Sequence, residues 1–162
     1  MVKKLVSHTL KEYVDQLARK TPAPGGGSAV ALNAALGVAL LEMVTQYSVA
    51  KARTKRLETR FKTNLTKCKA LRQRLLELVD LDAKAYEGFV KARKKGKAEQ
   101  RKAAKAAAAV PKEICQKCYQ AMQLTSLLAE EGNQNLISDL EIAIDMLVGS
   151  FNGALLLQEM NS

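Results

Sequence analysis

The sequence predicts an all-α protein, an antiparallel helical bundle of five to six helices in one domain covering residues 1–162. Three observations carry that prediction. Aromatic residues are only 4% of the chain and Trp is absent, which denies a β-sandwich or barrel the side chains that fill it. Apolar residues recur at helical spacings rather than alternating. Capping residues, prolines and glycines punctuate the chain at the ends of those apolar runs. A hydrophobic content of 48% with 26% charged residues is globular composition and argues against disorder.

The first helix is expected to start at Thr9, because Thr9-Leu10-Lys11-Glu12 has the form of a capping box. Leu10, Tyr13, Val14 and Leu17 then share its inner face, and Thr21 to Gly27, with two prolines and three glycines, ends it. Ser28 is placed to cap a second helix running to about Ala50, apolar nearly all round and so suited to the middle of a bundle or a subunit interface. A third helix runs from about Lys55 to Lys95. Phe61, Cys68, Leu75, Asp82 and Phe89 stand seven apart in it and make a packing seam holding one carboxylate. An Ala-rich fourth helix spans Ala98 to Val110, with Pro111 stopping or kinking it. A fifth ends at Gly132, a natural C′ residue, and a sixth starts after Asn133-Gln134-Asn135 with Ser138 as its cap.

Charge and cysteine usage narrow the partners. Lys and Arg number 26 against 16 acidic residues, a net charge of +10 that attracts anions. Nucleic acid is disfavoured, because no aromatic residues interleave the basic stretches and no helix-turn-helix segment stands out. Three cysteines in a chain of this size fit a reducing, cytoplasmic setting. No signal peptide is read at Met1-Val2-Lys3, and the apolar run Ala29–Leu41 is short for a bilayer span of about 20 residues. Cys115-Gln-Lys-Cys118 lacks further ligands for a metal, with His8 far off and read as a surface residue.

Three places hold chemistry. Pro24-Gly25-Gly26-Gly27-Ser28 leads into a helix N-terminus, where free N–H groups favour an anion and the glycines admit a ligand to the main chain; a plain turn with a Ser cap is the simpler alternative. Asp82 inside an apolar seam should have its pKa raised by desolvation, as general acid–base work requires, unless a basic partner offsets it; a buried Asp paired with an Arg or with a helix N-terminus is the structural alternative. Tyr86 is one turn on and within hydrogen-bonding reach of it. Ser138-Asp139-Leu140-Glu141 has capping-box form, with Asp139 complementing the helix dipole.

Thr21-Pro-Ala-Pro-Gly-Gly-Gly-Ser28-Ala-Val-Ala-Leu, with Gly37 and Met43-Val44 after it, resembles the signature of the cyclodeaminase/cyclohydrolase family. Asp82-Ala-Lys-Ala85-Tyr86, Arg101, Val110-Pro111 and Gly132-Asn133-Gln-Asn135-Leu-Ile-Ser138-Asp139 follow in family order. The resemblance implies a folate one-carbon enzyme, hydrolysing 5,10-methenyltetrahydrofolate to 10-formyltetrahydrofolate or cyclising and deaminating 5-formimidoyltetrahydrofolate. It implies a homodimer or higher homo-oligomer with no cofactor beyond the tetrahydrofolate substrate, and no metal and no membrane. Asp82 and Asp139 are then the catalytic candidates. Pro24, Gly25, Gly26, Gly27, Ser28, Tyr86, Arg101, Lys105 and Asn135 are the substrate-binding candidates, with Arg101 and Lys105 meeting the anionic tail. The chain departs from the family at Lys95-Gly96-Lys97 and in Ala154 to Asn161, where the first of two asparagines is lost and relatives usually continue past Ser162. A catalytically inactive helical binding or scaffold relative is the alternative those departures leave.

Overall fold

The helix signals become six α-helices in the computed structural model, which describes residues 4–160. They are α1 (Leu10–Leu17), α2 (Gly26–Ala50), α3 (Lys55–Ala92), α4 (Lys97–Met122), α5 (Thr125–Glu131) and α6 (Ile137–Met160), with 3-10 turns at Leu5–Ser7 and Gln134–Leu136. No strand occurs among the described residues. The expectations at Met1-Val2-Lys3 and at Asn161 lie outside them.

The four long helices form the bundle. α2 and α4 stand diagonally opposite, each packed against both α3 and α6. Neighbours are antiparallel. Glu42 in α2 takes a 2.8 Å bond from Arg72 in α3, while Gly27 at the start of α2 abuts Asp82 further along α3. Asn33 of α2 donates to the Met146 carbonyl (3.0 Å) and the Ser150 hydroxyl (2.8 Å) of α6. Arg74 of α3 clamps Glu113 of α4 through two bonds of 2.7 and 2.9 Å. Between the helices, Leu41, Phe61, Leu75, Ile114 and Leu147 are fully buried, each worth about 1.5–3 kcal/mol relative to exposure.

Several helix boundaries differ from the sequence expectation. Ser28 is not a cap: Gly25 occupies that position, and Ser28 is buried inside the first turn. Of the four residues expected to face inward from α1, Tyr13 is buried and Leu17 half-buried, but Leu10 and Val14 are 76% and 59% exposed. This helix of two turns lies at the edge of the bundle and has too little neighbouring surface to cover both. Pro111 does not stop its helix, so the expected fourth helix and the first part of the expected fifth are the single α4, and the rest of the fifth is α5. The break comes instead at Gln123–Leu124, where Asn64 of α3 donates to the freed Leu124 carbonyl at 3.1 Å.

Gly132 ends α5 in extended, not left-handed, backbone; there a Cβ would overlap the Leu128 carbonyl that its N–H bonds at 2.9 Å. Ser138 caps nothing, because α6 is entered through the 3-10 turn capped by Asn133, whose side chain accepts from the Asn135 N–H at 3.2 Å. His8 is half-buried rather than on the surface, with Nδ1 shut away from solvent.

The apolar run in α2 belongs to a 25-residue helix that contains an 18-residue stretch of mean hydropathy 1.7, and an 18-residue stretch within residues 134–160 reaches 1.6. Both are long and apolar enough to cross a bilayer by length and composition. Within the bundle α2 is sandwiched between α3 and α6 and carries the paired Glu42 and Asn33. Much of α6 faces outward instead, exposing Ile142, Val148, Leu155 and Leu156.

The helices are unequal in length, and that creates the site. α3 continues for ten residues after Asp82, about 15 Å of helix. The first turns of α4 run back along it. This hairpin overhangs the start of α2 and the end of α6, leaving a hollow between them.

Candidate active site

The heptad seam of α3 explains the wall of the hollow. Phe61, Cys68 and Leu75 are completely buried under α2. The next two members of the same stripe, Asp82 and Phe89, emerge where α2 begins, and both line a cavity of about 520 Å³. That volume suits a small organic ligand. Gly25, Gly26 and Gly27 supply one side, and Tyr86 joins Asp82 and Phe89 on α3. Ala104, Ala107 and Pro111 of α4 face them, with Leu157 and Met160 of α6 closing the side.

Asp82 is the one charged side chain among the lining residues. Burial pushes its carboxyl above the ordinary carboxylate range, and a hydrogen bond from the Ser28 backbone N–H partly opposes the shift. No basic side chain balances it. A Cβ on Gly27 would overlap the carboxylate, so glycine there is what allows α3 to bring its acid against the first turn of α2. This revises the anion-cradle reading of the glycine turn. The N-terminus of α2 already has its anion, and that anion is Asp82.

The remaining candidates divide by position. Gly25, Gly26, Gly27, Tyr86 and Asp82 share the cavity. Tyr86 is 45% exposed, and the bond that Asp82 accepts comes from Ser28, not from Tyr86. Pro24 and Ser28 are buried behind the glycines and out of a ligand's reach. Arg101 and Lys105 are exposed on α4, flanking Ala104 at the outer edge of the overhang.

Asn135 and Asp139 are at the other end of the molecule. Asn135 is exposed beside Lys51, Arg53 and Asn133. Asp139, in the first turn of α6, stands about 27 Å along that rigid helix from Leu157. Within one protomer, therefore, Asp139 cannot assist Asp82 and Asn135 cannot border its cavity.

One residue escaped the sequence reading. Tyr13 reaches from α1 to place its hydroxyl 3.0 Å from that of Ser28. Burial raises the phenol's pKa, Ser28 counteracts this, and the negative charge of Asp82 adds to it. Its only sequence signal was a hydroxyl-bearing ring on an otherwise aliphatic face. The thiols of Cys68 and Cys118 are pushed up to about 12 by burial, which makes them inert packing groups. Among the described residues no three His, Cys, Asp or Glu side chains gather to hold a metal.

An up-and-down helical bundle with an acid-floored cavity at one end is thus the class that fold and site define. Residues 9–162 match the formiminotransferase-cyclodeaminase family model, and the chain belongs to that family. It is 31% identical to a methenyltetrahydrofolate cyclohydrolase of Methylorubrum extorquens over 150 residues, 85% of this chain and 71% of that protein. It is also 31% identical to the formimidoyltransferase-cyclodeaminase of Rattus norvegicus over 160 residues, 93% of this chain but only 30% of that longer protein. The crystal structure of a formiminotetrahydrofolate cyclodeaminase from Thermotoga maritima superposes with a TM-score of 0.92 at 30% identity, over 96% of this chain and 78% of that one.

Proposed function

We propose that this protein is a folate one-carbon enzyme and that Asp82 moves the protons. The observation that carries the proposal is a half-buried carboxylate, its pKa raised, standing alone against the glycine-built start of α2 in a ligand-sized cavity. Its relatives' names supply the substrate class, a tetrahydrofolate carrying a methenyl or formimino one-carbon unit. Such a molecule has a cationic reacting carbon and an anionic tail. The acid cavity suits the first, and the basic outer face carrying Arg101 and Lys105 suits the second.

In the hydrolytic direction, water attacks the methenyl carbon of 5,10-methenyltetrahydrofolate and passes one proton to the Asp82 carboxylate. The tetrahedral adduct then opens as the carbon–N5 bond breaks and Asp82 returns that proton to N5. The second proton of the water leaves to solvent, giving 10-formyltetrahydrofolate. In the cyclodeaminase reaction, N10 attacks the formimidoyl carbon and gives its proton to Asp82, which hands it to the departing ammonia. The likeness to the Thermotoga maritima cyclodeaminase favours keeping this second reaction alongside the first. Neither requires a metal or redox cofactor, because the amidinium carbon is already electrophilic.

Self-association fits the same reading: α6 exposes Ile142, Val148, Leu155 and Leu156 beside α2, an apolar face suited to a second copy. Three unpaired buried cysteines fit a cytoplasmic setting. The deciding experiment mixes the protein with 5,10-methenyltetrahydrofolate and follows the loss of its near-ultraviolet absorbance. Acceleration over buffer is expected. Binding without acceleration would instead identify an inactive family member, and neither binding nor acceleration would refute the folate reading.

A further inference from the structure

Pro111 lies in the middle of α4, where a proline is costly because it has no N–H for the carbonyl four residues earlier. That carbonyl belongs to Ala107. Both residues line the cavity, and helix geometry places the Ala107 oxygen on the face they share. The α4 wall of the cavity therefore carries a main-chain carbonyl that lacks its i+4 donor. No Lys or Arg stands among the lining residues, although the chain carries a net charge of +10. The ring of Tyr86 adds a π face, whereas one face of Phe89 already holds the Arg93 guanidinium, 5.3 Å from its centroid. A carboxylate, an open carbonyl dipole and the Tyr86 ring, with no Lys or Arg among the described lining residues, together favour positive charge.

We propose that the Ala107 carbonyl, released by Pro111, is a ligand-binding group, and that with Asp82 it makes the cavity prefer the cationic form of the one-carbon unit over neutral folates. Pro111 is then a positioning residue acting through Ala107. The proposal rests on the folate reading above and specifies which charge state the site selects. The nitrogens of the methenyl bridge carry no hydrogen, so the Ala107 oxygen acts on the amidinium as a dipole facing a positive charge in a partly desolvated site.

The test compares the wild type with Pro111→Leu, which keeps an apolar side chain while restoring the N–H that would occupy Ala107. Two probes are used: 5,10-methenyltetrahydrofolate, which is cationic at its one-carbon unit, and 5-formyltetrahydrofolate, which is neutral there. The expected result is a KM for the methenyl compound raised about tenfold or more, with the inhibition constant of the formyl compound within about twofold and thermal stability undiminished. If Pro111→Leu does not fold, the smaller Pro111→Ala carries the same comparison. Equal weakening of both probes would mean that Pro111 only shapes the cavity, and no change in either would mean that Ala107 does not touch the ligand. Either outcome overturns the proposal while leaving the folate reading intact. A wild type that binds neither probe would overturn both.

Discussion

The backbone N–H of Ser28 donates a hydrogen bond to the carboxylate of Asp82, tying the first turn of α2 to the point where the seam of α3 leaves the core. One residue thereby serves as helix anchor and, among the described residues, as the only charged side chain lining the cavity. The two roles separate in Asp82→Asn. The amide still accepts from Ser28, so the fold should persist, while the proton carrier is lost. We expect kcat for methenyltetrahydrofolate turnover to fall by about 10²–10⁴ with little change in circular dichroism. Unchanged turnover would remove Asp82 from the chemistry.

The raised pKa of Asp82 also sets a pH dependence of stability. A carboxyl whose folded pKa exceeds its unfolded value holds its proton more tightly when folded. Its contribution is therefore complete below about pH 3.9, the ordinary aspartate value, and vanishes as the pH rises through the folded value. Relative to Asp82→Asn, the wild type should lose stability as the pH rises above about 4 and through the raised folded value. Over the same range its kcat/KM should rise as the base ionises, with a midpoint above the ordinary aspartate value. Urea unfolding and initial rates across that range check both, and parallel stability curves for the two proteins would contradict the burial argument.

Gly27→Ala isolates the close approach of α2 to Asp82. Alanine is the better helix former by about 1 kcal/mol, yet here its Cβ would overlap the carboxylate. Activity should drop at least tenfold, and the helix-propensity gain should be cancelled by displacement of Asp82. Gly88→Ala in the exposed part of α3 meets nothing within 4 Å. It should gain about 0.5–1 kcal/mol in stability at unchanged activity. Thermal melts and rates for the pair distinguish steric displacement from propensity.

The parts of this site legible in the sequence were those with local signals. The glycine turn, the capping box at Thr9 and the lone acid in a heptad stripe each announce themselves within a few turns. What stayed hidden depends on partners distant in the chain. Ser28 read as a cap because nothing nearby revealed that Asp82 would take its N–H. Pro111 read as a stop or a kink, and the helix continues through it because it is sustained by packing against α3 and α6, which no local rule contains. Asp139 and Asn135 were drawn toward Asp82 by motif order, but the length of α6 between them and the cavity decides otherwise.

The Tyr13–Ser28 pair should hold Asp82 in place from behind. Tyr13→Phe leaves the fully buried Ser28 hydroxyl without that 3.0 Å partner, a loss of about 1–3 kcal/mol. Ser28→Ala removes the other half, and the double variant should cost less than the two singles summed. The phenol, its pKa raised, is neutral wherever Asp82 ionises. The acid limb of the rate profile should therefore stay in place in the Phe variant, and a shifted limb would show that the pair positions Asp82.

The outward apolar face of α6 predicts an assembly. Val148 and Leu156 are 41% and 57% exposed on a helix of high hydropathy. Neither contributes to the lining of the Asp82 cavity. If a second copy covers this face, Val148→Asp with Leu156→Asp buries two unpaired charges on association and should yield a monomer by sedimentation or light scattering at concentrations where the wild type is dimeric or larger. A monomeric wild type at those concentrations would refute self-association. If the variant is monomeric yet keeps full turnover, each cavity works alone. If it loses turnover while retaining its circular dichroism, the partner completes the site, and residues at the far end of α6, Asn135 and Asp139 among them, become the first to substitute in mixed dimers.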